Sequence, residues 1–207
     1  MFDGVALMPR IAFWYDFAST YSYLSAMRIE TLAVDRGISV EWRPFLLGPI
    51  FKKQGWETSP FNLQRSKGNY MWRDMERQCS VLGLPLVRPN PFPQNSLLAA
   101  RIAYCGRNED WIGAFTRAVY HMEFALGEDI SNPELLAALL VELGAPAKRV
   151  MNEIETAEVK IGLRAEVATA ESLGIFGAPS FVTEHGELFW GNDRLDDALD
   201  AAFMRFG

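Results

Sequence analysis

One stretch constrains the fold more than any other: Ile11 to Leu24, with the sequence IAFWYDFASTYSYL. Its first half is a short apolar and aromatic run, which is typical of a buried strand. From Ser19 onward the large apolar side chains take helical spacing, so a strand is predicted to meet a helix N-terminus at Ser19. The first N–H groups of a helix lack helical partners, and an anion or thiolate is therefore stabilised there. In the plainer interpretation, Ser19 is simply an N-cap.

The flanking segments complete an α/β pattern. A helix is predicted from Ser19 to about residue 36 and a second strand over residues 38–45, which together form a β-α-β unit with parallel strands. Residues 46–60 are rich in Gly, Pro and turn residues and are predicted to be a loop. Helical spacing then dominates as far as Gly174, in segments 62–81, 94–107, 110–125, 133–143, a short helix from 146, and 157–173. A hairpin with strands over 179–183 and 187–190 and a last helix over 194–204 follow.

This order predicts an α/β protein with a thioredoxin-like fold (β-α-β … β-β-α) and a large all-helical insertion. Residues 1–48 and 174–207 would form the thioredoxin-like domain, and residues 49–173 the inserted helical subdomain. In that architecture the first helix N-terminus meets the loop before the third strand. A cis peptide bond at Pro179 would turn the backbone outward there and expose Ala178 to an extended, peptide-like ligand. A simple strand-start proline is the other interpretation.

Composition excludes several classes of function. The net charge of −6 argues against a general nucleic-acid surface. No run approaches the roughly 18 apolar residues of a membrane-spanning helix, so no membrane association and a cytoplasmic location are expected. Cys79 and Cys105 form no C-x-x-C, and His121 and His185 are equally isolated. We therefore predict two free thiols and no metal site. The aromatic residues predicted to lie in the core are Phe13, Trp14, Trp42 and Phe181.

The start of the first helix carries the chemistry. Redox proteins of thioredoxin type open this helix with C-x-x-C, whereas this chain has Ser19 and Ser22 in S-x-x-S. Hydroxyls cannot cycle through a disulfide, which excludes protein-borne dithiol exchange at this position. A hydroxyl can instead donate a hydrogen bond to the thiolate of another molecule, and a helix N-terminus lowers a thiol pKa from about 8.5. The ligand suggested is a thiol tripeptide.

Five motifs, in order along the chain, carry a resemblance to a known family. They are DFxSxYSYL from Asp16, FLLGPIFK from Phe45, KGxYMxxD from Lys67, FPxNS from Phe92, and GxFGAPSF from Gly174 followed by FWGNDRL from Phe189. The chain from about Ile11 to Phe206 resembles the 2-hydroxychromene-2-carboxylate isomerases. These are glutathione-dependent members of the DsbA and kappa-class glutathione transferase group.

The resemblance implies roles for five residues in glutathione binding. Ser19 matches the family's catalytic serine, which hydrogen-bonds the glutathione sulfur and favours the thiolate. No activating His or Lys is evident beside Ser19 in the sequence, which favours this role over that of a nucleophile. Ala178, just before Pro179, would bind the cysteinyl part of glutathione, and Asp193 and Arg194 its γ-glutamyl end. As an alternative, Asp193 caps the last helix.

The resemblance also implies a substrate site. Lys52, Asn62 and Asn95 match family positions near a small, aromatic-derived substrate, although a solvated loop lysine is the plainer interpretation of Lys52. Two positions depart from the family pattern. Thr20 stands where the family has proline, and Trp56 stands in place of a Gly-Asn pair.

The expected function is a glutathione-dependent isomerase of 2-hydroxychromene-2-carboxylate type, in aromatic catabolism, acting by reversible addition of the glutathione thiolate. Glutathione is the expected cofactor, and a homodimer is expected from kappa-type relatives. The alternatives are a kappa-class-like glutathione transferase or peroxidase, and a DsbA-like peptide-binding protein without redox activity.

Overall fold

The computed structural model describes residues 8–204 and is built around a mixed sheet. Its strands are β1 (Arg10–Tyr15), β2 (Ser39–Pro44), β3 (Ser180–Thr183) and β4 (Leu188–Trp190), in the spatial order β2-β1-β3-β4. Strand β1 pairs parallel with β2 and antiparallel with β3, and β4 is antiparallel to β3. This topology confirms the predicted thioredoxin-like α/β fold. Residues 1–7 and 205–207, which belong to the predicted terminal domain, lie outside the described residues.

The helices pack on both faces of this sheet. They are α1 (Thr20–Ala26), α2 (Ile29–Asp35), α3 (Leu47–Lys53), α4 (Pro60–Leu63), α5 (Arg65–Leu82), α6 (Leu97–Gly106), α7 (Ile112–His121), α8 (Pro133–Glu142), α9 (Ala147–Glu153), α10 (Ala157–Ser172) and α11 (Leu195–Phe203). A π-helical turn, Met122–Leu126, extends α7, and a 3-10 turn, Asn192–Arg194, precedes α11. The long run of helices between β2 and β3 confirms the predicted helical insertion.

The two faces of β1 enter two different cores, as the period of a strand requires. Ile11, Phe13 and Tyr15 belong to a large core that reaches through α1, α7 and α8. Trp14 belongs to a smaller core on the opposite face, under α3 and α10. The large core is continuous from the sheet into the helical block. The division at residues 48/49 and 173/174 stays a prediction.

The first predicted helix is wrong in its length, because it breaks between α1 and α2. The Arg28 N–H donates to the carbonyl of Ser25, three residues back, at 3.1 Å. At this break the hydroxyl of Ser25 donates to Asn192 Oδ1 at 3.0 Å, and Arg28 Nη1 lies 3.5 Å from the same oxygen. The helix that follows Ser19 is therefore only two turns long.

The prediction of a loop over residues 46–60 is also wrong, since this segment contains α3. Pro49 is the third residue of α3, in the first turn, where its missing N–H has no helical partner to lose. The first helical N–H, that of Leu47, donates to the carboxylate of Asp16 at 2.8 Å. A carboxylate from another part of the chain thus satisfies the start of this helix.

The predictions for the core aromatic residues and for the two thiols are confirmed. The predicted core aromatics are buried, with Phe13 and Phe181 at 0%, Trp14 at 2% and Trp42 at 4% exposure. Cys79 and Cys105 are free, and burial raises the pKa of each thiol to about 11, so both stay protonated at neutral pH. Over residues 8–204, the helices are too short or too polar to cross a membrane.

Candidate active site

Ser19 lies at the junction between β1 and α1 and makes two hydrogen bonds through its side chain. As the N-cap of α1, its Oγ accepts from the N–H of Ser22 at 3.3 Å. The same hydroxyl donates to the carbonyl oxygen of Ala178 at 2.8 Å, across 159 positions of sequence. The N-cap interpretation is therefore confirmed. The hydroxyl also faces the loop before β3, as the thioredoxin-like topology predicted.

The Ala178–Pro179 peptide bond is cis, as predicted. Ser180 begins β3 directly after it, and the Gly191 N–H at the end of β4 donates to the Pro179 carbonyl at 3.0 Å. The loop before β3 is therefore held in place by the sheet through Pro179 and Ser180, directly after the cis bond. The prediction that Ala178 is open to a ligand needs one correction. Its carbonyl already accepts a hydrogen bond from the Ser19 hydroxyl.

A cavity of about 1370 Å³ opens beside this junction. Its walls come from the ends of the sheet strands, from α3, from the segment before α6 and from one face of α5. Five residues of the predicted site line it: Ser19, Ala178, Pro179, Asp193 and Arg194. The structure thus brings together the whole predicted glutathione site.

Asp193 and Arg194 follow β4 and are both exposed. Arg194 Nη1 contacts Asp197 at 2.9 Å, and its Nε lies 3.6 Å from the Asp193 carboxylate. Arg194 occupies the N-cap position of α11, so the alternative in which Asp193 caps that helix is not what the structure has. A carboxylate and a guanidinium side by side suit a ligand that carries both an ammonium and a carboxylate group.

The predicted substrate residues are more scattered. Asn95 lines the cavity, and its Oδ1 accepts from the Leu97 N–H at 3.1 Å. Lys52 and Asn62 are exposed and are not among the lining residues. Asn62 instead supports the wall, because its Nδ2 donates to the carbonyl of Phe92, which does line the cavity, at 3.1 Å.

One face of α5 supplies lining residues that the sequence analysis quoted in a motif but did not place in the site. They are Lys67, Tyr70, Met71 and Asp74, at the i, i+3, i+4, i+7 spacing of a single helical face. Asp74 accepts a hydrogen bond from the Tyr21 hydroxyl at 3.0 Å. Burial, followed by the hydrogen bond and charge of Asp74, raises the pKa of Tyr21 above its ordinary value. Tyr21 is therefore a neutral hydroxyl in the cavity wall.

Aromatic side chains form the apolar part of the cavity. Trp56 is 38% exposed and packs against Phe51 with ring centroids 5.6 Å apart. Phe176 and Trp190 pack at 4.8 Å beside Gly177. A Cβ at Gly177 would overlap the Trp190 indole nitrogen, so the glycine makes room for this ring next to Ala178. The cavity can therefore hold an apolar, planar group close to the Ser19 hydroxyl.

Fold and site together define a thioredoxin-like protein whose redox cysteines are replaced by a hydroxyl. The family model for the DSBA-like thioredoxin domain matches residues 10–202. The chain belongs to the DsbA-like thioredoxin domain family.

Within that family, the chain is similar to isomerases over most of its length. The 2-hydroxychromene-2-carboxylate isomerase of Sphingobium xenophagum is 30% identical over 187 residues, which is 90% of this chain and 94% of that protein. A solved structure of a 2-hydroxychromene-2-carboxylate isomerase has the same fold, with a TM-score of 0.83 at 24% identity over 93% of each chain. Glutathione S-transferase kappa 1 of Rattus norvegicus is 25% identical over 202 residues, 91% of this chain and 88% of that protein. The resemblance to the 2-hydroxychromene-2-carboxylate isomerase family is confirmed.

Proposed function

We propose that this protein is a glutathione-dependent isomerase for substrates of 2-hydroxychromene-2-carboxylate type. The observation that carries the proposal is the Ser19 hydroxyl, held 2.8 Å from the Ala178 carbonyl at the edge of the cavity. This position belongs to a redox cysteine in thioredoxin-like oxidoreductases. The names of the isomerase relatives support the reaction type.

The residues present fit glutathione. The Ser19 hydroxyl is a donor for a thiolate, half-buried Ala178 lines the cavity beside it, and Asp193 and Arg194 offer the charges that complement a γ-glutamyl group. Drug-sized pockets measure roughly 300–1,000 Å³. A cavity of about 1370 Å³ leaves room for an acceptor beside the tripeptide. The kappa-class glutathione transferase among the relatives supports the same ligand.

Bound glutathione would supply a thiolate that adds reversibly to a conjugated acceptor and is eliminated after bond rotation, without net redox change. The protein's part is to keep that sulfur ionised and to orient the acceptor. Hydrogen bonds to charged groups contribute about 1.5–3 kcal/mol, so donation from Ser19 would favour the thiolate over the thiol. Within residues 8–204 the partners of Ser19 Oγ are a carbonyl and an N–H, and neither is a base that could activate a nucleophilic serine.

Charge that develops on the acceptor oxygen needs a cation or a donor. The resemblance implied Lys52, but Lys67 is the lysine that lines the cavity. We assign this role to Lys67 on α5, with Asn95, before α6, as a neutral polar group that lines the same cavity. Exchange of Lys67 for Met would then lower kcat, whereas exchange of Lys52 for Met would serve as its matched control.

Parallel assays with a hydroxychromene carboxylate, a chloronitrobenzene and a hydroperoxide test the proposal. Isomerisation that depends on glutathione is the expected result. Turnover of the second or third compound alone would favour a kappa-class-like transferase or peroxidase, the second candidate, which the Rattus norvegicus relative supports.

Binding is tested separately by thermal unfolding with glutathione. A ligand at 100 times its Kd stabilises by about 2.7 kcal/mol. An unchanged Tm at millimolar glutathione would argue for a DsbA-like peptide-binding protein instead. The expected homodimer and cytoplasmic location stay predictions, and sedimentation and cell fractionation would test them.

A further inference from the structure

Asp16 is a buried acid, 4% exposed, in the turn that joins β1 to α1. Its Oδ1 accepts hydrogen bonds from the N–H of Ala18 at 3.0 Å and from the hydroxyl of Ser96 at 2.7 Å. Its Oδ2 accepts from the N–H of Leu47 at 2.8 Å. Burial raises the pKa of Asp16, and these three hydrogen bonds oppose that shift. Every contact uses the carboxyl group as an acceptor.

The backbone of Asp16 extends the same network. Its carbonyl accepts from the N–H of Ser19 and from the hydroxyl of Tyr120, each at 2.9 Å. Tyr120 is fully buried on α7, in the large core. Two groups therefore hold the turn that carries Ser19 in place. They are the Tyr120 hydroxyl, from the large core, and the Asp16 carboxyl group.

The partners of Asp16 start three separate walls of the cavity. Ser19 precedes α1, Leu47 begins α3, and Ser96 occupies the N-cap position of α6. All three residues line the cavity, together with Asp16 itself. The Ser96 hydroxyl makes no cap hydrogen bond to its own helix and points to Asp16 instead. One residue, through its carboxyl group and its backbone carbonyl, thus links the hydroxyl that would hold the thiolate to the helices that would hold the acceptor.

We propose that Asp16 is a positioning residue that holds the α3 and α6 walls in register with Ser19, so that sulfur and acceptor meet in reactive geometry. This role rests on the proposed glutathione chemistry. Reacting atoms need to lie about 3–3.5 Å apart, and a misplacement of about 1 Å can cost about 100-fold in rate. Ground-state binding of glutathione, which uses Ala178, Asp193 and Arg194, depends much less on those two walls.

Two variants loosen the network from opposite sides. Asp16→Asn keeps the shape of the side chain but turns one acceptor oxygen into a donor. Either the Leu47 N–H or the Ala18 N–H then loses its acceptor, and a contact with Ser96 survives on the amide side only if the serine hydroxyl changes from donor to acceptor. Ser96→Ala removes a single hydrogen bond and leaves the acid in place. Ser96→Thr keeps the hydroxyl and is the conservative rescue. Val150→Ala on α9, buried at 1% exposure and outside the cavity lining, controls for a general loss of stability.

The experiment measures kcat and both KM values with Tm for each variant. Asp16→Asn and Ser96→Ala are expected to lower kcat by about 10–100-fold, with the KM for glutathione changed by less than about threefold. Ser96→Thr should restore kcat, and Val150→Ala should lower Tm while kcat stays at the wild-type value.

An unchanged kcat in Asp16→Asn would overturn the inference. So would a Val150→Ala variant that has the same Tm as Asp16→Asn and loses as much kcat. Both results leave the proposed function intact, because the wild-type protein remains active in them. A wild-type protein that shows no glutathione-dependent turnover would instead overturn the proposed function, and the role of Asp16 with it.

Discussion

Replacement of Ser19 by Ala separates the structural from the chemical role of this hydroxyl. The structural effect comes from two lost hydrogen bonds, to the Ser22 N–H and to the Ala178 carbonyl. Loss of an N-cap costs about 1 kcal/mol, and loss of an ordinary hydrogen bond about 1 kcal/mol more at most. For a chain of this size each kcal/mol lowers Tm by about 2–4 °C. The variant should therefore fold, with a Tm lowered by only a few degrees.

The chemical effect should be larger. A hydrogen bond to a charged acceptor contributes about 1.5–3 kcal/mol. At 1.36 kcal/mol for each pKa unit, its loss raises the pKa of the bound glutathione thiol by about 1–2 units. At a pH below the pKa of the thiol bound to the wild-type protein, the thiolate fraction, and with it the rate, should fall about 10–100-fold.

The assay is a titration of the ultraviolet absorbance of the thiolate in the saturated complex, with steady-state kinetics and thermal unfolding in parallel. Thr156→Ala is a matched control, since Thr156 caps α10 through the Val159 N–H and donates to the Glu153 carbonyl far from the cavity. It should lose similar stability and leave the thiol pKa unchanged. An unchanged thiol pKa and rate in Ser19→Ala, at full glutathione occupancy, would refute the thiolate mechanism.

Three further predictions follow from the cavity and the core. Gly177→Ala should displace the Trp190 ring and lower the stability of the fold by about 1 kcal/mol or more. Tryptophan fluorescence should change and the acceptor KM should rise, and an unchanged spectrum would contradict this. Trp56→Ala should raise the KM for an aromatic acceptor about 10-fold and leave the KM for glutathione unchanged, and an equal rise in both would place Trp56 elsewhere in the site. Burial raises the pKa of Glu123 well above its ordinary value, and neither of its oxygens has a hydrogen-bond partner among residues 8–204. The folded state therefore favours the neutral acid, while the unfolded chain ionises above about pH 4.3. Stability should therefore fall as pH rises from about 4.3. The stability of Glu123→Gln relative to the wild type should rise by about 1.4 kcal/mol for each pH unit between about 4.3 and the lower of pH 7 and the folded-state pKa of Glu123, as measured by urea unfolding at pH 4 and pH 7. The same difference between the two proteins at both pH values would contradict this.

Local patterns were sufficient to predict the sheet and the hairpin. The apolar run of β1, the alternation of β2 and the turn at Gly186, which has a φ of 83°, are properties of neighbouring residues. Helix α3 was not predictable in this way, because the carboxylate at its start lies 31 positions earlier in the chain. The break after α1 likewise accompanies contacts with Asn192, 167 positions after Ser25. Such contacts exist only once the chain has folded.

The residues of the candidate site also fall into those that local sequence predicts and those that only tertiary contacts place. Ser19 and Ala178 were predictable because a strand, a helix start and a proline mark them locally. Lys67 and Asp74 had the spacing of a helical face, but the side toward which that face turns depends on how α5 packs. Asp16 carried no local sign of its role. Its partners Leu47 and Ser96 come from segments that meet only in the folded protein.

The hydrogen bond between Ser19 and Ala178 makes the site selective for ionisation state. An incoming sulfur can accept a hydrogen bond from the Ser19 hydroxyl only by displacing the Ala178 carbonyl oxygen, which is a good acceptor. A neutral thiol or thioether sulfur is a weak acceptor. A thiolate can win that competition and a thioether cannot. Affinity for glutathione should accordingly rise with pH between the pKa of the bound thiol and the higher pKa of the free thiol, about 8.5, and level off above it. S-methylglutathione should be a poor competitor even though it keeps every other group of the tripeptide.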